Sequence, residues 1–422
     1  MMRLLPALVS ALLPLTASVA TAPTAEPAPS DGAHLRAARQ IVPGIEVLLS
    51  GQMGRLKGQR IALLTNQTGV DRKGRSSIDL LRGHPDANLV ALFSPEHGVR
   101  GTAQAGEKVA SGIDPVSGLP VHSLYGDTKM PTPEMMAGLD IVLVDLQDIG
   151  TRFYTYSTTL LFLLRAAEKS GTMIIVLDRP NPQGGLLIEG PVLEPAFASF
   201  VGSFAMPVRH GMTLGELARM FVGEEKLRSR LEVIPMRGWT RAMQSDQYRD
   251  LPWVPPSPNM PSRLTARIYP GTALFEGTNI SEGRGSGKPF EYIGAPFIDG
   301  EVLAKHMNAA GLPGVVFQPV SFTPGFSKFA GEKCNGVRII PLDHRKFLPF
   351  RTGMELVKAV HDLYPDKFRF REGAPGFFDQ LTGTDAVRKG IIAGQEVPVI
   401  ERQWQARLAA FNKVRARYLI YR

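Results

Sequence analysis

The chain has 422 residues, of which 44% are hydrophobic and 21% are charged, and its formal net charge is +9. These values are ordinary for a globular protein and allow a large core, which we expect to be divided between two domains. The positive charge favours anionic partners in general. The basic residues are scattered, however, and no recognition motif accompanies them, so nucleic acid is not a predicted partner. The single cysteine, Cys334, cannot form an internal disulfide, and no Cys/His cluster predicts a zinc site.

The first residues have the composition of an export signal. A short positive start at Arg3 precedes an apolar run at residues 4–19 and a small-residue cleavage site, Ala20-Thr21-Ala22. We therefore predict a signal peptide at residues 1–22, a flexible leader at residues 23–40, and an exported protein that is periplasmic or secreted. No cysteine follows the apolar run, and no later stretch is apolar for long enough to span a bilayer. A stable membrane anchor is therefore not predicted, and the oligomeric state stays open.

Beyond the leader, apolar runs alternate with helical patterns. Residues 60–65, 89–93, 139–145 and 173–177 have the length and composition of buried strands. Residues 41–56, 77–82, 158–170 and 212–221 have helix-like patterns. This rhythm predicts an α/β fold with a parallel sheet. Towards the carboxyl terminus, helices from 302, at 353–364 and at 400–414 and strands from 315 and 337 predict a second α/β region.

Polar or ionisable side chains follow each of the four predicted strands. They are Asn66 after the first; Glu96, His97 and Arg100 after the second; Gln147, Asp148 and Arg152 after the third; and Arg179 and Asn181 after the fourth. Open α/β sheets bind ligands at the carboxyl ends of their strands. We therefore expect these side chains to meet in one crevice, although each group read alone could be a polar loop.

Further candidate residues come later in the chain. His210 precedes the helix predicted at 212–221, and Asn259 lies in the rigid turn Ser257-Pro-Asn-Met-Pro261. A glycine-rich polar loop at 276–285 contains Asn279, Glu282 and Arg284. This loop fails the phosphate-loop pattern because Glu282 stands where that pattern requires glycine.

Other catalytic signatures are also missing from the sequence. There is no dinucleotide fingerprint after residues 60–65 and no nucleophile elbow. Neither a metal nor a cofactor is therefore predicted.

The abundance of carboxylates, amides and tyrosines in these loops suits a sugar. Glycosidic cleavage requires a carboxylic acid that protonates the departing oxygen, and Glu96 beside Phe93 and Pro95 is a candidate for that acid. The structural alternative is that Glu96 forms a salt bridge with Arg100. Two other functions stay open: a non-catalytic periplasmic protein that binds sugars or muropeptides, and a metal-dependent amidase or esterase.

Eight motifs, found in order from about residue 45 to the end, resemble one bacterial family. They are Leu64-Thr-Asn-Gln-Thr-Gly-Val-Asp71, Phe93-Ser-Pro-Glu-His-Gly98 with Arg100-Gly101, Pro120-Val-His-Ser-Leu-Tyr-Gly126, residues 145–156, Leu177-Asp-Arg-Pro-Asn-Pro182, Arg209-His-Gly-Met-Thr213, Pro256-Ser-Pro-Asn-Met-Pro261 and residues 276–284. Together they resemble the exo-β-N-acetylmuramidases of the NamZ type. The resemblance implies a Rossmann-like catalytic domain at residues 41–271, a smaller α/β domain at residues 272–422, and a cleft between them.

The resemblance also implies an activity and a set of site residues. The expected reaction releases N-acetylmuramic acid from the non-reducing ends of peptidoglycan fragments, with Glu96 as the catalytic acid. The second catalytic partner is Asp148, Glu282 or the 2-acetamido group of the substrate. An arginine is expected beside the muramyl lactate, because a guanidinium binds carboxylates in bidentate geometry. The predicted substrate-binding residues are Asn66, His97, Arg100, Tyr125, Gln147, Arg152, Tyr154, Arg179, Asn181, His210, Asn259, Asn279 and Arg284.

Overall fold

A seven-stranded sheet organises the computed structural model, which describes residues 40–248 and 250–422. The predicted signal peptide, and the predicted leader up to residue 39, lie outside the described residues. In the described part, no helix is both long and apolar enough to cross a membrane.

The twelve strands and twelve α-helices are numbered in chain order. The strands are β1 Arg60–Thr65, β2 Asn88–Ser94, β3 Gly112–Ile113, β4 Pro120–Ser123, β5 Ile141–Asp145, β6 Met173–Leu177, β7 Glu189–Val192, β8 Pro207–Arg209, β9 Leu231–Ile234, β10 Tyr292–Ala295, β11 Val315–Phe322 and β12 Cys334–Pro341. The helices are α1 Gly44–Leu49, α2 Ser77–Arg82, α3 Pro133–Met136, α4 Tyr156–Ser170, α5 Leu214–Glu224, α6 Arg263–Thr272, α7 Gly300–Ala309, α8 Pro349–Leu363, α9 Phe377–Thr382, α10 Ala386–Ile392, α11 Val397–Arg402 and α12 Gln405–Ala416. These counts refer to the described residues.

The strand order of the central sheet creates the crevice that the sequence predicts. The order is β3-β4-β2-β1-β5-β6-β9, and every pairing is parallel except that of β3 with β4. From β1 the chain proceeds outward through β2 to β4, and then returns to the other side of β1 to form β5, β6 and β9. The reversal lies between β1 and β5, which is where doubly wound sheets form their ligand crevices.

Both faces of the sheet are covered, which explains the continuous apolar runs in its strands. In β1, Ala62 and Leu64 belong to one hydrophobic core, whereas Ile61 and Leu63 belong to a second core on the opposite face. This division follows from the alternation of side chains along a strand. The sequence prediction of an α/β fold with a parallel sheet is confirmed.

Several predicted elements differ from the observed ones. The strands predicted at 60–65 and 173–177 have the observed bounds, but β4 and α6 were not predicted. The sequence of β4, Pro-Val-His-Ser, lacks an apolar run, and α6 contains Pro270. The pattern at 41–56 is α1 followed by the 3₁₀ turn Met53–Leu56, and the pattern at 400–414 is divided between α11 and α12.

The second half of the chain, from α6 onward, builds an antiparallel sheet and packs on the first half. Strands β10, β12 and β11 form this sheet, and α6 packs against α8 where Gly271 faces Gly353. A Cβ atom at Gly271 would lie 1.9 Å from the carbonyl oxygen of Pro349, so the helices require glycine at this contact. The predicted domain boundary at residue 271 falls within α6 and stays a prediction.

The last residues return to the first half of the chain. The Tyr421 hydroxyl donates to Asp178, which follows β6, at 2.6 Å. The backbone N–H of Ile420 donates to Glu216 of α5 at 2.9 Å. These contacts fix the carboxyl terminus beside the sheet.

Candidate active site

A pocket of about 550 Å³ lies at the carboxyl ends of the sheet strands, and both halves of the chain contribute to it. This volume is in the range of small-molecule sites. The first half contributes Glu96, His97, Gln104, Ala105, Gly106, Tyr125, Phe153, Tyr154, Thr155, Val201, Ser257 and Asn259. The second half contributes Tyr269, Glu276, Arg284, Phe290, Phe326, Ser327, Arg371, Phe377 and Leu381.

Glu96 is held in this pocket by two separate parts of the chain. It follows β2, and its side chain is buried. Its Oε1 accepts a hydrogen bond from the Gly106 N–H at 2.9 Å, and its Oε2 accepts one from the Thr155 hydroxyl at 2.7 Å. Thr155 occupies the N-cap position of α4, but its hydroxyl binds Glu96 instead of a helix amide. Glu96 therefore lies at the amino end of α4.

The salt bridge between Glu96 and Arg100, which was the structural alternative, does not form. Arg100 instead makes a bidentate contact with Asp114, with Nε···Oδ1 and Nη2···Oδ2 distances of 2.9 and 2.6 Å. Glu96 is therefore left facing the pocket.

Backbone strain is concentrated around this pocket. Five described residues other than glycine have φ in the left-handed region, and His97, Phe290 and Ser327 of these line the pocket, with φ of 73°, 61° and 71°. Such conformations are costly for side chains with a Cβ and tend to occur at functional sites. Here they turn the chain so that its side chains face the cavity.

Aromatic side chains surround the position that a ligand would occupy. Tyr269 makes edge-to-face contacts with Tyr154 and Phe290, at centroid distances of 5.9 and 4.7 Å. Burial raises the pKa of Tyr125, and the neighbouring carboxylate of Glu96 raises it further. The pKa of Tyr154 is also raised, mainly by burial. Both phenols therefore keep their protons near neutral pH and can donate hydrogen bonds to a ligand.

A cluster of charges forms the side of the pocket contributed by the second half of the chain. Arg284 Nη1 lies 3.1 Å from Glu276 Oε2 and 3.1 Å from Glu282 Oε1. Burial raises the pKa of Glu276, although Arg284 opposes this effect. Burial would also raise the pKa of Glu282, but Lys328 and Arg284 outweigh it and lower that pKa.

Six of the predicted site residues line the pocket: Glu96, His97, Tyr125, Tyr154, Asn259 and Arg284. Asn279 and Glu282 line a neighbouring pocket, which also contacts Arg284. Of the residues that follow the four predicted strands, the pocket lining contains Glu96 and His97, both after β2. The meeting of all four strand ends in one crevice and the functional roles of these residues stay predictions.

The other predicted site residues lie behind the pocket, where they bind the protein itself. Two arginines form ion pairs: Arg179 with Asp145, and Arg100 with Asp114. Two amides each donate one hydrogen bond, Asn66 to the Tyr156 hydroxyl and Asn181 to the carbonyl of Met212. The remaining two donate to several backbone carbonyls: Gln147 to those of Asp148 and Pro180, and Arg152 to those of Pro191, Met206 and Leu381. A polar group at a buried strand end costs free energy unless it is paired, so these groups turn inward to partners.

Asp148 and His210 form a second buried pair away from the pocket lining. Asp148 Oδ2 accepts from the Gly150 N–H at 2.7 Å and lies 3.9 Å from His210 Nε2. Burial raises the pKa of Asp148 to about 7 and lowers that of His210 to about 3. The imidazole is therefore neutral at physiological pH.

Sequence reasoning missed several residues of the pocket. Thr155 and Glu276 stand inside motifs that carry the family resemblance, so that signal was available for them. Gly106 contributes only a backbone N–H, and Arg371 comes from a loop outside every motif. No sequence pattern marked these two positions.

In the described part of the chain, no group of three or more His, Cys, Asp or Glu residues is arranged to hold a metal.

Comparison with known proteins identifies the family. The family model described as exo-β-N-acetylmuramidase NamZ, N-terminal, matches residues 61–264, and its C-terminal counterpart matches residues 267–421. The chain belongs to the exo-β-N-acetylmuramidase NamZ family. The resemblance inferred from the eight motifs is thereby confirmed.

Individual relatives match nearly the whole chain. The peptidoglycan β-N-acetylmuramidase NamZ of Bacillus subtilis (strain 168) is 50% identical over 382 residues, which cover 90% of this chain and 92% of that protein. The crystal structure of a DUF1343 family protein from Bacteroides fragilis NCTC 9343 has a TM-score of 0.85 and 37% identity, and the match covers 91% of this chain and 100% of that one. A second such protein from the same strain has a TM-score of 0.71 and 33% identity, with 91% and 99% coverage.

The buried Asp148 predicts a specific dependence of stability on pH. Its pKa is 3.8 in an ordinary setting and about 7 in the folded protein. Between these values the folded state holds a proton that the unfolded chain has released, so raising the pH lowers the free energy of unfolding. His210 acts in the opposite direction between about pH 3 and its ordinary 6.5. The Asp148 contribution must therefore be measured as a difference between variants.

We expect Asp148→Asn to gain stability relative to the wild type as the pH rises from about 4 to about 7, by on the order of a few kcal/mol. Urea unfolding at a series of pH values measures this difference. Asp127→Asn is the matched control, because the Asp127 side chain is fully exposed. Parallel stability curves for the wild type and Asp148→Asn would contradict the prediction, and the activity of the same variant tests the catalytic role predicted for Asp148.

Proposed function

We propose that this protein is an exo-acting glycoside hydrolase that releases N-acetylmuramic acid from the non-reducing ends of peptidoglycan fragments. The observation that carries the proposal is the buried, doubly hydrogen-bonded Glu96 in an aromatic pocket of about 550 Å³. A relative also supports the proposal, because the chain is 50% identical to a protein named as a peptidoglycan β-N-acetylmuramidase. A pocket of this size accommodates a terminal sugar, which suits exo action.

Glu96 is the general acid of the proposed reaction. It transfers its proton to the glycosidic oxygen as the bond to the anomeric carbon breaks, and the leaving sugar departs as an alcohol. The carboxylate that remains is stabilised by the Gly106 N–H, the Thr155 hydroxyl and the amino end of α4. The oxygen of a water molecule then forms a bond to the anomeric carbon in place of the departed oxygen, and Glu96 accepts the water proton, which restores the acid.

Glu276 is the second carboxylate of the proposed mechanism. Among the described residues, Glu96 and Glu276 are the acidic side chains that line the pocket, whereas Asp148 lies behind it and Glu282 lines the neighbouring pocket. Its contact with Arg284 orients the carboxylate. In this position Glu276 stabilises the positive charge that develops on the sugar ring. The substrate's 2-acetamido group is the alternative partner.

Glu96→Gln tests the acid role directly. We expect kcat/KM for an N-acetylmuramic acid disaccharide, whose leaving group requires protonation, to fall by about 10²–10⁴-fold, since the amide cannot donate the proton. The measurement is release of free N-acetylmuramic acid, with thermal unfolding as the check on folding. Glu301→Gln, an exposed change in α7, is the control and should retain full activity. Wild-type turnover by Glu96→Gln would remove Glu96 from the acid role, and no product from the wild type would favour the sugar-binding alternative.

Glu276→Gln separates the two candidates for the second partner. We expect kcat to fall by at least about 10²-fold on an aryl muramide, whose leaving group needs little acid assistance. Azide added to Glu276→Ala should restore turnover if the carboxylate acts as a nucleophile. Unchanged kcat in Glu276→Gln would leave Glu276 as a partner of Arg284 and assign the second role to the acetamido group.

We also propose that the protein is exported, since its proposed substrate is a cell-wall polymer. Residues 1–22 supply the signal peptide in this proposal. We expect amino-terminal sequencing of the mature protein from the periplasm or medium to begin at Pro23. A mature chain that retains Met1 would contradict export by this signal.

A further inference from the structure

The second, neighbouring pocket is joined to the first through four shared residues. This side pocket has a volume of about 590 Å³ and is lined by Glu276, Thr278, Asn279, Glu282, Arg284, Ser327, Lys328, Phe329 and Arg371. The residues that it shares with the main pocket are Glu276, Arg284, Ser327 and Arg371. The two pockets are therefore adjacent, with these four residues at their boundary.

Most charges around the side pocket are paired with each other. Arg284 contacts both Glu276 and Glu282. Lys328 Nζ donates to Glu282 Oε2 at 2.9 Å and to the backbone carbonyls of Phe275 and Ile280 at 2.7 and 2.9 Å. These two cations and two carboxylates balance, so they leave no net charge for a ligand.

Arg371 is the remaining cation at this junction. Among the described residues, no carboxylate lies within salt-bridge distance of its guanidinium. Its Nη1 donates to the backbone carbonyl of Glu276 at 3.3 Å, and its guanidinium carbon lies 5.7 Å from the Phe377 ring centroid. Its own backbone N–H donates to the Gly277 carbonyl at 2.8 Å. The side chain is thus positioned at the junction, where it is exposed to solvent and has no carboxylate partner among the described residues, so it is available to bind an anion.

The other arginines that the sequence analysis nominated for an anion are already occupied. Arg179 is buried against Asp145, and Arg152 is buried among backbone carbonyls. A ligand carboxylate that paired with either would have to break these buried contacts. Arg371 requires no such exchange.

We propose that the side pocket is the subsite for the carboxylate of the lactyl ether on N-acetylmuramic acid, and that Arg371 is its ion-pair partner. This inference rests on the proposed function, because it assumes that the muramyl ring occupies the main pocket beside Glu96. The lactyl group is the chemical difference between N-acetylmuramic acid and N-acetylglucosamine. Arg371 is therefore a specificity-determining residue, and the ion pair favours a free lactyl carboxylate over a neutral amide at the same position.

Three aryl β-glycosides test this subsite: the N-acetylmuramide, its lactyl methylamide, and the N-acetylglucosaminide. In Arg371→Met we expect kcat/KM for the acid to fall by about 10- to 100-fold, mainly through KM, because a hydrogen-bonded charge pair is lost. The amide and the glucosaminide should change by less than about threefold, because neither carries the anion. Arg371→Lys, which keeps the charge, should recover part of the loss.

Lys367→Met is the matched control, since Lys367 is an exposed cation of the same segment and lines neither pocket. It should leave all three substrates unaffected. An equal loss for all three substrates in Arg371→Met would overturn the proposal and indicate a general structural role. An unchanged KM for the acid would also overturn it.

Calorimetric binding of N-acetylmuramic acid distinguishes failure of this inference from failure of the proposed function. If the wild type binds the sugar acid but releases no product from any glycoside, the hydrolase proposal fails and the binding comparison still decides the role of Arg371. Weaker binding of the acid in Arg371→Met, with unchanged binding of N-acetylglucosamine, supports the subsite. Equal binding of the acid by the wild type and Arg371→Met rejects it.

Discussion

The two hydrogen bonds that hold the Glu96 carboxylate depend on the topology of the whole first half of the chain. One comes from Gly106, in the segment between β2 and β3, and the other comes from Thr155 at the start of α4. These donors meet because β2 and β5 end at the same edge of a parallel sheet, on opposite sides of β1. A carboxylate whose two oxygens are both hydrogen-bonded has a fixed orientation, and proton transfer to or from a ligand depends on that orientation.

The polar residues behind the pocket serve this geometry indirectly. Arg179 and Asp145 join the ends of β6 and β5 through a buried ion pair, and Asn66 joins the end of β1 to Tyr156 in α4. Removing one partner of a buried pair leaves an unpaired polar group, which is more costly than the loss of an exposed contact. The strand-end residues therefore divide by their contacts: Arg179 and Asn66 bind other parts of the sheet and α4 and fix the loops, whereas Glu96 and His97 line the pocket.

This division marks the limit of what the sequence could predict. The apolar runs of β1 and β6 specify strands because burial on both faces requires uninterrupted apolar side chains. Parallel strands share a carboxyl edge, so the convergence of Glu96 with other polar residues was also predictable. Which of those residues face the cavity was not predictable, because Asp148 meets His210 and Arg179 meets Asp145 only through tertiary packing.

Residues contributed by loops were less accessible to sequence reasoning. Arg371 follows Phe370, which bridges to Thr278, and this pairing brings it beside Glu276 from a distance of 95 residues along the chain. Neither a periodic pattern nor a motif encodes such a contact. Glu276 opens a motif that carries the family resemblance, but that motif also contains Glu282 and does not distinguish the two carboxylates. The structure separates the two by their partners: Glu282 is bound by both Arg284 and Lys328, whereas Glu276 contacts Arg284 and lines the main pocket.

The two halves of the chain thus bring different chemistry to one cavity. The first half supplies the carboxyl group of Glu96 with fixed neutral donors, which suits proton transfer. The second half supplies a cation cluster in which two positive charges are already neutralised and a third, Arg371, is not. Charge that the protein has itself compensated orients side chains but adds little attraction for a ligand, whereas an exposed cation that has no carboxylate partner stays available to an anion. In the proposed subsite, selectivity for an acidic sugar depends on the absence of a carboxylate partner for Arg371 among the described residues, and a carboxylate introduced beside Arg371 would remove that selectivity while leaving the contacts of Glu96 intact.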